Sequence, residues 1–224
     1  MENRPVHRIT QVIFDLDGTV WDSAPGILSA IRHTLGTWGV PVPAEAELRG
    51  SLGPPLAQML TELGVPDHEV GQAVTVYRQH YAAVGEFDCA IYPGILDLLA
   101  SLREQCVALA TATSKGREAT LRMLEHFDLS RHFDVIEAAS MTARGSEKSE
   151  VIQAAITQLG PTTGRRLMIG DRKFDIEGGT AHGLETVWVT WGYGSEQELA
   201  ASRPDHVASS PQELGRLLLV SPAC

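Results

Sequence analysis

The chain encodes an α/β protein, with a Rossmann-like parallel sheet carrying helices on both faces, plus an inserted helical cap domain. Two observations lead there. Along most of the chain, short apolar runs alternate with helix-patterned stretches, as a parallel sheet with crossover helices requires. Between residues 23 and 88 the alternation stops, and helical spacing punctuated by Gly and Pro replaces it.

The first strand is the run Gln-Val-Ile-Phe at 11–14, short, apolar and β-branched at its centre. Comparable runs lie at 107–112, 135–136, 167–169 and 186–189, with helical patterns at 117–127, 148–159 and 175–182 between them. A weak strand near 206–207 and a helix over 211–219 finish the sheet's edge. The insertion carries helical spacing over 26–38, 54–63 and 67–84, separated by Gly39, Pro41, Pro43, Gly64 and Pro66. Residues 85–93 lead back to a core helix over 94–103. The expected division is therefore 1–22 with 89–224 as the core domain, and 23–88 as the cap.

The 224 residues include 28 acidic and 18 basic side chains, a formal charge of −10. That balance argues against nucleic-acid and anionic-membrane surfaces, which call for clustered Lys and Arg. An anionic substrate would need local positive charge to enter. Cys89, Cys106 and Cys224 have neither paired nor metal-ligand spacing and read as incidental thiols. Residues 1–8 lack a signal peptide's apolar stretch and no run reaches membrane-spanning length, so a cytoplasmic monomer or homodimer is expected. The eight histidines are scattered; His126 and His132 have no ligand partners nearby and read as structural or solvent-facing.

Asp15-Leu16-Asp17-Gly18-Thr19 directly follows the first strand. Open parallel sheets bind ligands outside the carboxyl ends of their strands. Two carboxylates two residues apart converge only if the backbone turns sharply, and Gly18 permits that turn. An Asp-Gly turn explains Asp17 and Gly18, but not Asp15 at the end of a buried strand. Gly170-Asp171-Arg172-Lys173-Phe174-Asp175 follows another apolar strand in the same way, although Asp175 also suits a plain helix cap. Together these segments gather three or four carboxylates. Two such charges ~4 Å apart repel by about 4 kcal/mol at an effective dielectric of about 20. The cluster needs a cation, and oxygen-only ligands select a hard one, Mg2+.

Thr113-Ser114-Lys115 ends the second strand and faces the same crevice, although a Thr-Ser turn there is ordinarily a helix cap. Lys148 opens the helix after the third strand, where the helix dipole mildly disfavours a cation; that misplacement hints at an anionic partner.

These four segments, in this order, resemble the haloacid dehalogenase-type phosphatase superfamily over essentially the whole chain, with the insertion where those enzymes carry a cap. Finer features are similar to the phosphoglycolate phosphatase-like branch: Asp22-Ser23-Ala24-Pro25-Gly26, Gly53-Pro54-Pro55-Leu56, Tyr92-Pro93-Gly94-Ile95 and Trp191-Gly192-Tyr193-Gly194. The resemblance implies Asp15 as nucleophile and metal ligand, and Asp17 as general acid and base with its carbonyl on the metal. It implies Asp171 as the other carboxylate on the metal and Asp175 in an outer or water-mediated role. Thr113, Ser114 and Lys148 would hold the phosphoryl group. The implied activity is magnesium-dependent hydrolysis of a small phosphorylated metabolite, 2-phosphoglycolate first among the candidates. Arg49 and Arg78 are the cap candidates for meeting an anionic substrate tail, while Arg144, Arg172 and Lys173 are candidates for positioning a substrate, with exposed basic side chains the plainer reading.

Within the superfamily, a pyrophosphatase, nucleotidase or phosphomutase shares these motifs. From other classes, a phospho-accepting signalling domain is a single small domain without the insertion or the second carboxylate. A non-catalytic binding protein is opposed by every expected catalytic position being filled.

Overall fold

The computed structural model describes residues 8–139 and 147–219; the first seven residues, Arg144 and Cys224 lie outside the described residues. Strand β1 (Ile9–Phe14) comes first, then the two-residue β2 (Trp21–Asp22). The chain leaves the sheet through α1 (Ala24–Thr37), α2 (Glu45–Gly50), α3 (Leu56–Glu62), a 3-10 turn at Asp67–Glu69, α4 (Val70–His80) and a π turn at Tyr81–Gly85. It returns at β3 (Ala90–Ile91), which pairs antiparallel with β2. There follow α5 (Ile95–Glu104), β4 (Ala108–Gly116), α6 (Arg117–His126), β5 (Val135–Ala139), α7 (Lys148–Leu159) and β6 (Arg165–Gly170). The last elements are α8 (Lys173–Ala181), β7 (Glu185–Val189), α9 (Glu196–Ser202), β8 (His206–Ala208) and α10 (Pro211–Leu219).

Six strands pair in the order β5-β4-β1-β6-β7-β8, every neighbour parallel. Side chains alternate across β1, so Val12 and Phe14 join one core while Ile13 joins the other. The first core takes Leu99 of α5, Met123 of α6 and Leu214 of α10; the second takes Val151 and Ile152 of α7. The sheet is thus covered on both faces, as its near-continuous apolar strands require. Phe14 lies beside Thr111 of β4 and Ile169 of β6, and the Asp15 N–H donates to the Ile169 carbonyl at 2.9 Å. That register brings three strand ends together.

The helices between β2 and β3 have a core of their own, with Leu28, Ile31, Leu35, Leu48, Leu60 and Tyr77 among its buried members. Pro25 presets the first turn of α1. Ala119 of α6 and Tyr193 pack against this core from the side of the sheet.

Three local features depart from the sequence expectation. The helix expected over 67–84 is three pieces, ending in the π turn. Strands β2 and β3 and helices α2 and α9 are too short to carry a periodic signal. Thr113, Ser114 and Lys115 continue β4 instead of turning, because β5 pairs alongside through Ala138 and, after a register shift, Ala139.

Where α1 meets the π turn, two backbones touch. A Cβ on Gly26 would stand 1.9 Å from the Gly85 carbonyl oxygen. Gly26→Ala is therefore expected to cost about 1–3 kcal/mol of stability. Gly36→Ala, in the same helix with nothing within 4 Å of a new Cβ, should be neutral or stabilise by up to about 1 kcal/mol. Denaturant unfolding midpoints check the pair; equal effects would mean that the Gly26–Gly85 contact is dispensable.

Candidate active site

Asp15 sits one residue past β1, with only 7% of its surface exposed. Its Oδ1 lies 2.7 Å from the Lys148 ammonium, which is also 2.7 Å from Asp175 Oδ1 and donates to the Ala112 carbonyl at 2.8 Å. Neither carboxylate oxygen receives any other hydrogen bond among the described residues. Lys148 is thus the first residue of α7 turned inward onto β1, β4 and α8, which accounts for its odd position in the sequence. Asp175 is fully buried; its second oxygen accepts from the Arg172 N–H at 3.0 Å and closes the first turn of α8.

Asp171, also fully buried, accepts from the Thr19 hydroxyl at 3.2 Å and from the Tyr193 N–H at 2.7 Å. Gly18 makes room for it. Gly18 has φ +82°, and a Cβ there would stand 2.4 Å from Asp171 Oδ2. Asp15, Asp171 and Asp175 can each present an oxygen within 4.8 Å of the others.

Three buried carboxylates beside one ammonium leave excess negative charge. Burial chiefly, opposed by Lys148 and reinforced by Asp175 and Asp17, pushes the Asp15 carboxyl up to about 7. Burial, then Asp175 and Asp15, raises Asp171 well above the usual carboxylate range despite the Tyr193 N–H. Both shifts come first from burial and then from the neighbouring carboxylates, and a cation placed among them would oppose both. The all-oxygen donor set, in which the Asp15 and Asp175 oxygens share the Lys148 ammonium as their one donor among the described residues, fits a hard divalent cation. Asp175 belongs to this cluster of three carboxylates.

The Asp17 carboxylate stands apart. Its Oδ1 accepts from the Trp21 indole N–H at 2.7 Å and the Ser23 hydroxyl at 2.5 Å, and its Oδ2 lies 3.2 Å from Lys115 Nζ. Lys115 also donates to the Tyr81 hydroxyl at 2.8 Å, and its ammonium sits 4.5 Å from that ring's centroid. Asp17 and the neighbouring phenols keep Lys115 charged above the usual lysine range, against burial, the largest single influence. Tyr81 belongs to the π turn, so Lys115 ties the Asp17 carboxylate to the helical insertion, alongside the Ser23 hydroxyl at the insertion's first residue. Sequence reasoning quoted Lys115 without assigning it a role; its place at the end of a strand that faces the crevice was the available signal. Tyr193 is a further link. Its hydroxyl accepts from the N–H groups of Ser23 and Ala24 at 2.9 and 3.0 Å and donates to Asp22 at 3.0 Å.

Asp15, Asp17 and Asp175 line one cavity of about 730 Å³ between the sheet edge and the insertion, together with Thr113, Ser114, Lys115 and Lys148. The Thr113 hydroxyl accepts from the Lys115 N–H at 3.2 Å. Of the two cap arginines, Arg78 lines the cavity, whereas Arg49 is not part of its wall and lies 3.6 Å from Glu45. Arg172, expected to be exposed, is buried: Glu198 pairs with its Nε at 3.0 Å, and its Nη2 reaches the Gly50 carbonyl at 3.4 Å. Lys173 is exposed as expected.

A family model described as Haloacid dehalogenase-like hydrolase matches residues 12–189. A tyrosine-protein kinase PtkA of Mycobacterium tuberculosis is 43% identical over 82% of this chain. The matched region spans only 62% of that protein's length. A 5′-nucleotidase of Pseudomonas aeruginosa is 32% identical over 94% of this chain and 96% of its own. The crystal structure of a predicted phosphatase from Clostridium acetobutylicum superposes with a TM-score of 0.88 at 33% identity, covering 95% of this chain and 99% of that one. On this evidence the chain belongs to the haloacid dehalogenase-like hydrolase family, among relatives that include phosphoglycolate phosphatases.

Proposed function

We propose that this protein is a magnesium-dependent phosphatase that hydrolyses small phosphate monoesters through a phospho-aspartate on Asp15. The observation that carries the reading is the Asp15–Lys148–Asp175 group at the floor of a closed-over cavity, beside Asp171. Residues 1–22 and 89–224 act as the catalytic core and residues 23–88 as its cap.

In this reading, an Asp15 carboxylate oxygen attacks phosphorus in line while the ester oxygen departs, taking a proton from Asp17. Water then attacks the phospho-aspartate, Asp17 takes the proton back, and phosphate leaves with Asp15 restored. Lys148, Thr113 and Ser114 hold the phosphoryl oxygens, so positioning and charge do most of the work. Asp15, Asp171 and the Asp17 backbone carbonyl would hold magnesium, with Asp175 beside them. The ion supplies positive charge to the anionic phosphoryl group. Lys115 and Tyr81 position the Asp17 carboxylate, and the cap excludes bulk water.

The relative named a tyrosine-protein kinase favours a second reading, in which the phosphoryl group passes from a nucleoside triphosphate to a protein tyrosine. Release of inorganic phosphate from monoesters, without phosphotyrosine formation from labelled ATP, supports the phosphatase.

Asp15→Asn is expected to lower turnover on the order of 10⁴–10⁶-fold. Unchanged near- and far-ultraviolet circular dichroism would show that the fold survives, and appreciable residual turnover would remove the covalent step.

Activity should vanish in chelator and return with magnesium. The metal's effect on stability has a sign. Without it, the raised Asp15 and Asp171 carboxyls keep protons that the unfolded chain releases, so stability falls as pH climbs from 3.8 through about 7. Magnesium favours the ionised carboxylates, so it should raise the melting temperature more at about pH 8 than at about pH 5.5. Equal shifts would place the ion elsewhere.

Asp17→Asn should lose ~10²–10⁴-fold on alkyl phosphates and distinctly less on aryl esters, whose leaving groups need no proton. Lys115→Met should show the same leaving-group bias at smaller amplitude, with partial rescue by Lys115→Arg. Proportional losses on both substrate types would deny Asp17 its acid role and Lys115 its positioning role.

A further inference from the structure

We infer that the substrate is a phosphate monoester of a bulky, uncharged, ring-bearing alcohol, of the size and polarity of a nucleoside 5′-monophosphate, and not a compact dianionic acid. The inference rests on the phosphatase reading and names what the cap admits.

Size is the first argument. The cavity measures about 730 Å³. Cavities of about 300–1,000 Å³ suit ligands with several rings. A two-carbon acid phosphate would leave most of this space unfilled. The volume does not belong to a raised lid, because the cap is already seated on the core at several points. Tyr81 holds Lys115 at 2.8 Å, Glu86 accepts from Arg122 at 2.6 Å, and Gly50 accepts from Arg172 at 3.4 Å. The Tyr193 hydroxyl closes on the Ser23 and Ala24 N–H groups.

The walls are the second argument. Leu52, Pro54, Leu56, Val70, Val74 and Phe174 line the space beyond the catalytic floor. Such surface is stabilised by an apolar tail at roughly 25 cal/mol per Å² removed from water, and gains nothing from a hydrated carboxylate.

Charge is the third. Beyond Lys148, the cations on the wall are mostly committed: Lys115 to Asp17, Arg122 to Glu86, and Arg172 to Glu198. Asp67 and Glu118 share that wall with the exposed Arg78. A second negative charge on the substrate would therefore meet acids as often as bases. Arg172 still offers something to a neutral group. Its Nη1 is buried, has no acceptor among the described residues and borders Gly53 on the cavity wall. A ring nitrogen or carbonyl oxygen would satisfy that donor.

The experiment compares kcat/KM for adenosine 5′-monophosphate, 2-phosphoglycolate and acetyl phosphate, the last having almost no tail. The nucleotide should exceed phosphoglycolate by about tenfold or more. Val74→Trp, which fills the space, should lower the ratio of nucleotide to acetyl phosphate by about tenfold, and the milder Val74→Phe by less. Adenosine without its phosphate should compete with acetyl phosphate on the wild-type enzyme, a test that needs no variant to fold. A preference for phosphoglycolate, or no competition by adenosine, overturns the inference and leaves the phosphatase standing. Failure to release phosphate from either ester or from the acyl phosphate overturns the phosphatase itself.

Discussion

One ammonium organises the end of this sheet. Lys148 reaches Asp15 after β1, Asp175 in α8 and the Ala112 carbonyl of β4, all within hydrogen-bonding distance. Burying like charges side by side is costly, and a lone lysine among them does not neutralise the cluster. The geometry that creates the problem is topological. With β1 between β4 and β6, and all strands parallel, the residues after three strands must meet at one edge. Asp15 and Asp171 follow β1 and β6, and Thr113 lies in the extended end of β4. Burial first, and then the neighbouring carboxylates, raise the Asp15 and Asp171 carboxyls.

The second organising feature is the way the cap is wired into that edge. Asp17 is held by Trp21, Ser23 and Lys115 away from the three-carboxylate cluster, and Lys115 is held by Tyr81 of the cap's π turn. A π turn is often found where a helix has been adapted to a functional contact. Tyr193 joins the base of the cap to Asp171 through its N–H and to Asp22, Ser23 and Ala24 through its hydroxyl. Asp17 and Asp171 are therefore both linked to the helical insertion, Asp17 through Ser23 and Lys115–Tyr81 and Asp171 through Tyr193. A change in cap position would be felt at both.

In the proposed reading, the core chemistry and the substrate choice come from different parts of the molecule. Everything that would act on phosphorus sits on strand ends or helix starts of the core, while much of the wall that would meet the leaving group comes from α3, α4 and their flanking loops. This separation lets one fold serve many substrates. It also explains why relatives of this chain carry names as different as 5′-nucleotidase and phosphoglycolate phosphatase.

The sequence by itself determined the parallel sheet, its covering helices and the gathering of Asp15, Asp171 and Asp175, whereas Asp17, read into the same group, turns its carboxylate to Trp21, Ser23 and Lys115. Those features are local: an apolar run too short to be a helix, then a carboxylate and a glycine, leaves few alternatives. The resemblance added Lys148 and Thr113, and the structure brings both to the same cavity. What the sequence could not hold was the pairing of distant side chains. That Lys115 faces Asp17 and Tyr81 depends on β4 continuing beyond its apolar run and on where a π turn sets a ring. That Arg172 is buried depends on Glu198, in a helix too short to announce itself, and on the Gly50 carbonyl of the cap. The size of the cavity likewise follows from how the cap rests on the core. Such contacts arise only once long-range packing has fixed both partners, so tertiary structure alone decided them.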